Sequence, residues 1–164
     1  MKKIFETETL IESLKEKKMN RLIIVSNRLP LSITKEDDSL TFSPSAGGLA
    51  TGVGSLDYDN RLWIGWPGIS SDEINPGDEL VIESELKEMN SHPVFLDKNE
   101  ISSYYFGFSN RTIWPLFHYF PKNCIFEPKH WEAYKKVNEK FCNAVVALAD
   151  ENDTIWIHDY QLLI

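Results

Sequence analysis

Short runs of consecutive apolar residues, separated by stretches of helical spacing, set the pattern of this chain. Arg21 to Ser26 (RLIIVS) is such a run and predicts a strand buried on both faces. Arg61 to Trp66 predicts a second, stopped by Pro67-Gly68, Pro93 to Leu96 a third, and Thr154 to His158 (TIWIH) a further buried strand. Apolar groups around Leu29 to Thr34 and Leu40 to Phe42 flank the polar stretch 35–39 and predict a hairpin or excursion. Trp131, Tyr134, Asn138, Phe141, Val145 and Leu148 recur every three or four positions and predict a long helix over 129–149. Asp97, with Glu100 three residues on, predicts an N-capped helix over 97–108. A small-residue helix is expected over Ser45 to Leu56, and residues 4–18 carry a loose helical stripe. The acidic stretch 69–90 reads as irregular, with a turn at Asn75-Pro76-Gly77-Asp78.

Strands that are continuous apolar runs, alternating with helices, predict an α/β fold: a Rossmann-like, mostly parallel sheet flanked by helices. Residues 21–26, 61–66 and 154–158 are expected as its central strands. Residues 1–20 read as a helical N-terminal extension and 21–164 as one domain. The chain ends six residues after His158, on Leu162-Leu163-Ile164, which reads as a cut through a larger protein. An exposed sheet edge near that point favours a homo-oligomer.

Composition narrows the function classes. The 164 residues are 42% hydrophobic and 26% charged, an ordinary globular balance. A net charge of −8 gives no overall attraction for a phosphate backbone or an anionic membrane, so neither nucleic acid nor membrane is an expected partner. Any phosphate must be held locally, by backbone N–H groups or a few placed cations. Glu6, Glu8 and Glu12 interrupt what would be a leader's apolar segment, and no apolar run approaches the ~20 residues of a membrane span. Cys124 and Cys142 have neither disulfide-framework nor zinc spacing and read as reduced thiols, so a cytoplasmic location is expected. No Asp/Glu/His cluster has ligand spacing, and neither metal nor cofactor is expected.

In open α/β sheets, ligands bind beyond the carboxyl ends of the strands. Here those positions hold Asn27 and Arg28, then Gly65-Trp66-Pro67-Gly68, then His158-Asp159-Tyr160. Gly47-Gly48 before a helix is either a tight turn or an anion site, where free N–H groups and the helix dipole meet a diphosphate. Its spacing matches neither GxGxxG nor GxxxxGK[ST], which weighs against dinucleotide-dehydrogenase and P-loop readings. Arg28 favours the anion reading, since a guanidinium holds phosphate oxygens in a fork. Tyr104, Tyr105 and Trp114 fit core packing or a sugar platform equally. His118 and His130 read as structural, His158 as a rim histidine, and Asp159 as an acceptor for sugar hydroxyls.

Six segments occur together in order: VSNRLP (25–30), SAGGLATG (45–52), LWIGWPG (62–68), YYFGFSNRTIWPLFHY (104–119), WEAYKKVN (131–138) and IWIHDYQL (155–162). The ordered set resembles the N-terminal part of the trehalose-6-phosphate synthase family, retaining glycosyltransferases (family 20) with two Rossmann domains in the GT-B arrangement. The resemblance implies transfer of glucose from UDP-glucose to glucose 6-phosphate, giving α,α-trehalose 6-phosphate and UDP. It implies that Arg28 grips the acceptor phosphate, that Gly48, with Gly47, meets the donor diphosphate, and that Trp66, Tyr105 and Trp114 wall the glucose 6-phosphate. Asp159 then lies near the acceptor hydroxyls. Gln161 stands where the family usually has a histidine. The family's leaving-group Arg/Lys pair belongs to its C-terminal Rossmann domain, so no catalytic residue is assigned within this chain, and by itself it is expected to be inactive. Residues 21–164 are thus expected to be part of an acceptor-binding domain. The alternative is a non-catalytic sugar-phosphate-binding or regulatory module.

Overall fold

The computed structural model describes residues 21–45 and 60–164. The helices expected in 4–18 and, beyond Ser45, in 45–56 lie outside the described residues, as do Gly47 and Gly48. Strand β1 (Leu22–Arg28) runs through the middle of a parallel sheet, with β4 (Arg61–Trp66) on one side. Beyond β4 lies β5 (Ser91–Pro93), and on the other side of β1 lies β6 (Thr154–Ile157), so the order is β5-β4-β1-β6. Strands β2 (Leu31–Glu36) and β3 (Ser39–Pro44) form a separate antiparallel hairpin, as the flanking apolar groups predict. The α/β, mostly parallel architecture expected from the sequence is the one observed.

The alternation of β1 distributes the core between two faces. Ile23 and Val25 join Ile64, Tyr104, Tyr134, Val137 and Phe141 on one face. Ile24 joins Leu29, Ile33, Trp63, Ile82 and Leu86 on the other. Helix α1 (Pro76–Glu88) packs on the second face through Ile82 and Leu86. It corrects the reading of 69–90 as irregular. Asn75 Oδ1 accepts from the N–H groups of Gly77 and Asp78 at 2.8 and 3.0 Å, and the Asp78 carboxylate accepts from Asn75 N at 2.8 Å. The Asn-Pro-Gly-Asp set is therefore a capping box with proline in the first turn, not a free turn. Leu80 and Val81 are exposed, which blurred the helical stripe.

On the first face, residues 98–117 form one continuous helix, α2, whose central part Ile101–Ile113 is π-wound between α-helical turns at Lys98–Glu100 and Trp114–Phe117. The Asp97/Glu100 capping box forms as expected. Helix α3 (Pro128–Leu148) lies beside it and confirms the long-helix expectation to within a residue. The third strand occupies Ser91–Pro93, not 93–96, although Val94 N still bonds Gly65 O at 2.9 Å.

One larger correction concerns β6. It pairs with β1 as a parallel strand, but it is the edge of this sheet and not a central, buried strand: Ile155, Trp156 and Ile157 are 43%, 42% and 56% exposed. An apolar run reports suitability for burial. How much is covered depends on what packs beside it.

Two close contacts position the functional end of the sheet. The β1–β4 register shifts between Val25 and Arg28, where the backbones approach so closely that a Cβ on Gly65 would stand 2.8 Å from Leu29 N and 3.0 Å from Ser26 O. Gly65→Ala is expected to destabilise the fold by about 1–3 kcal/mol, the usual cost of overpacking, as a lowered denaturation midpoint would show. Unchanged stability would mean that β1 has slack to move. At the start of α2, Glu100 is buried and accepts from Lys140 Nζ at 2.6 Å and Asp97 N at 3.0 Å, with Lys136 Nζ at 3.0 Å. Burial alone would raise its pKa, but the bonds from Lys140, the Asp97 backbone and Lys136 hold it below the usual value. With the folded value depressed, Glu100 contributes fully above the unfolded-state pKa and loses that contribution as pH falls through the folded one. Glu100→Gln should therefore melt earlier than wild type at neutral pH, by about 1.5–3 kcal/mol, and with it in strong acid. An equal gap at both pH values would contradict this.

Candidate functional site

The carboxyl ends of β1 and β6 open into a cleft of about 180 Å³, lined by Ser26 to Pro30, Ser45, Trp63, Tyr105, His158, Asp159 and Gln161. Parallel pairing of β1 with β6 brings positions more than a hundred residues apart to one rim, since His158 N donates to Val25 O at 2.8 Å.

Arg28 is set by its surroundings on several sides. Its guanidinium carbon lies 4.6 Å from the centroid of Trp66, and Nη2 donates to Ser32 Oγ at 2.8 Å. Gly68, at φ +92°, leaves room for it: a Cβ there would come to 2.5 Å from Nη2. Ser26 Oγ accepts from Trp63 Nε1 at 2.7 Å and donates to Arg28 O at 2.7 Å, which fixes the backbone beneath. Burial lowers the arginine's pKa, and Tyr105 acts in the opposite direction. An arginine keeps its proton under such a shift. Its Nε is buried without a partner, and among the described residues no carboxylate pairs with it. A desolvated cation with a spare donor is suited to an anion.

Asp159 ends the opposite rim with φ +72°, a left-handed conformation that Asp tolerates. Its Oδ1 accepts from Tyr160 N at 2.8 Å, and the residue is exposed and lines the cleft. The segment after it is anchored on α3. Tyr134 Oη donates to Tyr160 O at 2.8 Å, and Asn138 Nδ2 donates to Gln161 O at 3.1 Å. Tyr160 Oη in turn donates to Asn110 Oδ1 on α2 at 3.0 Å. The π-winding, in which i→i+5 bonds replace i→i+4, sets Tyr105 at the cleft and Asn110, five residues on, against Tyr160. Burial raises the Tyr160 pKa, and Tyr105 and Asp159 add to that.

Of the residues singled out in the sequence, the structure brings Arg28, Tyr105 and Asp159 to one cleft. Trp66 is buried below Arg28, with Nε1 donating to Ile69 O at 2.8 Å. Trp114 is not among the residues lining the cleft; its ring is tilted against that of His118, centroids 3.7 Å apart, and lies 5.4 Å from that of Tyr160, which follows Asp159. His118 is tied locally, Nδ1 to Trp114 O at 2.8 Å, and His130 packs against Gly107 inside the helix pair. Sequence reasoning placed Asn27 only as a position at the strand end. In the structure Asn27 lines the cleft and its Oδ1 is buried and unpartnered, and the same holds for His158 and its Nε2. The signal was a polar Ser-Asn-Arg string closing an otherwise apolar strand. Burial lowers the His158 pKa, and Asp159 acts in the opposite direction.

The family model of glycosyltransferase family 20 matches residues 20–164, nearly nine-tenths of the sequence. The chain belongs to glycosyltransferase family 20. Among its curated relatives within this family is alpha,alpha-trehalose-phosphate synthase [UDP-forming] 1 of Aspergillus niger, 43% identical over 148 residues, covering 88% of this chain and 28% of that protein. A bifunctional trehalose-6-phosphate synthase/phosphatase of Thermoproteus tenax is 42% identical over 154 residues, covering 88% and 20%. A solved alpha,alpha-trehalose-phosphate synthase of Burkholderia vietnamiensis superposes with a TM-score of 0.65 at 32% identity, over 90% of this chain and 30% of that one. The enzyme of Burkholderia xenovorans, solved in complex with glucose-6-phosphate, gives a TM-score of 0.61 at 33% identity, over 87% and 29%. This member of the family thus spans less than a third of the length of these relatives. No described helix is long and apolar enough to cross a membrane.

Proposed function

We propose that this family 20 chain is the acceptor-binding portion of a retaining glycosyltransferase that moves glucose from UDP-glucose to glucose 6-phosphate, forming α,α-trehalose 6-phosphate. The observation that carries the reading is the cleft at the β1 and β6 ends, where a partly desolvated arginine with a free donor faces neutral and acidic acceptors. Arg28 takes the phosphate, and Tyr105 and Asp159 take the sugar. Trp66 backs the guanidinium and stiffens it, while Trp114 acts through Tyr160 on the loop that carries Asp159. Gly47 and Gly48 hold the donor diphosphate, and residues 21–164 form the partial Rossmann-like acceptor domain. The relatives support this reading: the Aspergillus niger protein is named a UDP-forming trehalose-phosphate synthase, and the Burkholderia xenovorans enzyme was solved in complex with glucose-6-phosphate.

The test is titration of the chain with glucose 6-phosphate, followed by NMR, with glucose and inorganic phosphate as separate arms. Shifts at the 26–28 and 158–160 amides are expected, weak in affinity and stronger for the sugar phosphate than for either part. Shifts elsewhere, or none, would overturn the reading.

A further inference from the structure

Polar groups at this strand end are satisfied wherever the fold has the means: Ser26, one residue before Asn27, both accepts from Trp63 and donates to the Arg28 carbonyl. Asn27 Oδ1 and His158 Nε2 are left without partners at less than 1 Å² of exposed surface, and Asn27 as a residue is only 8% exposed. Leaving a buried polar atom unpaired is costly, because it has given up water and gained nothing in return. Among the described residues seven buried side-chain atoms lack a hydrogen-bond partner, Glu100 Oε1 being ion-paired with Lys136 instead, and three of them, Asn27 Oδ1, Arg28 Nε and His158 Nε2, belong to residues lining this one cleft. Asn27 and His158 both line the cleft, at the carboxyl ends of two adjacent parallel strands.

The chemistry of the three is divided. Arg28 is a cation. Asn27 offers an amide, uncharged whichever way it is turned. His158 is held toward its neutral form by burial, and its neighbour Asp159 carries a carboxylate. An anion at the Asn27–His158 end would gain no cation and would meet Asp159. A hydroxyl, both donor and acceptor, satisfies an amide oxygen and an imidazole nitrogen together.

We propose that Asn27 and His158 form the hydroxyl-reading end of the cleft and fix the orientation of a sugar phosphate, with its phosphate on Arg28 and a ring hydroxyl between the two. This rests on the sugar-phosphate reading above and adds to it two specificity-determining residues. They choose polyol phosphates over bare phosphate.

Asn27→Leu, His158→Leu and His158→Gln test it, in NMR titrations of the chain with glucose 6-phosphate and with inorganic phosphate. Each Leu variant is expected to bind glucose 6-phosphate roughly three- to tenfold more weakly, the loss of one neutral hydrogen bond, and inorganic phosphate as wild type does. His158→Gln, which returns a polar nitrogen near the Nε2 position, should recover most of the loss. Asn27→Leu should not lower the melting temperature, because it removes a group that has no partner in the unliganded fold. Glucose 6-phosphate affinities equal to wild type in both Leu variants would overturn the pair, as would parallel losses for both ligands. Failure of the parent reading looks different: Arg28→Ala would then bind inorganic phosphate as wild type does.

Discussion

Incubated with UDP-glucose and glucose 6-phosphate, the purified 164-residue chain is expected to release no UDP above the uncatalysed background. Departure of a nucleoside diphosphate needs donors and cations placed where its charge develops, and each missing one typically costs about 10²–10³ in rate. Among the described residues the cleft presents a single guanidinium, Arg28, and the proposed function assigns that group to the acceptor phosphate. At about 180 Å³ the cleft is also too small to enclose donor and acceptor together, since pockets that bury a drug-sized ligand run to roughly 300–1,000 Å³. Substrates that the cleft does not enclose stay in contact with water, which weakens every charge interaction among them. The relatives named as synthases are far longer, with this chain spanning 28% of the Aspergillus niger protein. A coupled assay for UDP decides the matter. Turnover above background would place the leaving-group donors within these 164 residues.

Arg28→Ala is expected to abolish the phosphate-dependent part of glucose 6-phosphate binding. A hydrogen bond to a charged group contributes about 1.5–3 kcal/mol, or roughly a factor of 10 to 150 in affinity. The value should lie toward the upper end, because the guanidinium is already partly desolvated and oriented by Trp66 and Ser32 before any ligand arrives. Arg28→Lys should recover little, since an ammonium offers neither the planar face that lies over Trp66 nor a two-point fork. Titration calorimetry with glucose 6-phosphate, repeated with glucose, separates the phosphate contribution. Equal binding by wild type and Arg28→Ala would remove Arg28 from the phosphate site.

What could be read from sequence was what neighbouring residues decide among themselves. The Asp97/Glu100 cap, the three-to-four spacing from Trp131 to Leu148 and the apolar run before Asn27 and Arg28 each state a local preference, and each formed as expected. The failures lie where a local signal was outvoted. Asn75 to Asp78 carries turn residues, yet Ile82 and Leu86 docking on Ile24 and Trp63 made those residues a helix start. The mixed apolar and polar string at 101–113 cannot distinguish π from α winding, because the difference lies in the hydrogen-bond partner each backbone group takes.

By itself the sequence determined the fold class and the family, because strand burial, helix periodicity and short ordered motifs are properties of contiguous residues. Only the tertiary structure decided that Arg28, Tyr105 and Asp159 share a cleft while Trp66 lies beneath it and Trp114 beside it. It alone left Asn27 and His158 unpaired at the same rim and set β6 at the edge of the sheet. These are questions of which distant groups meet and which polar atoms find no partner. They are fixed by strand order, register and the close β1–β4 approach at Gly65, none of which is encoded in any one stretch of chain.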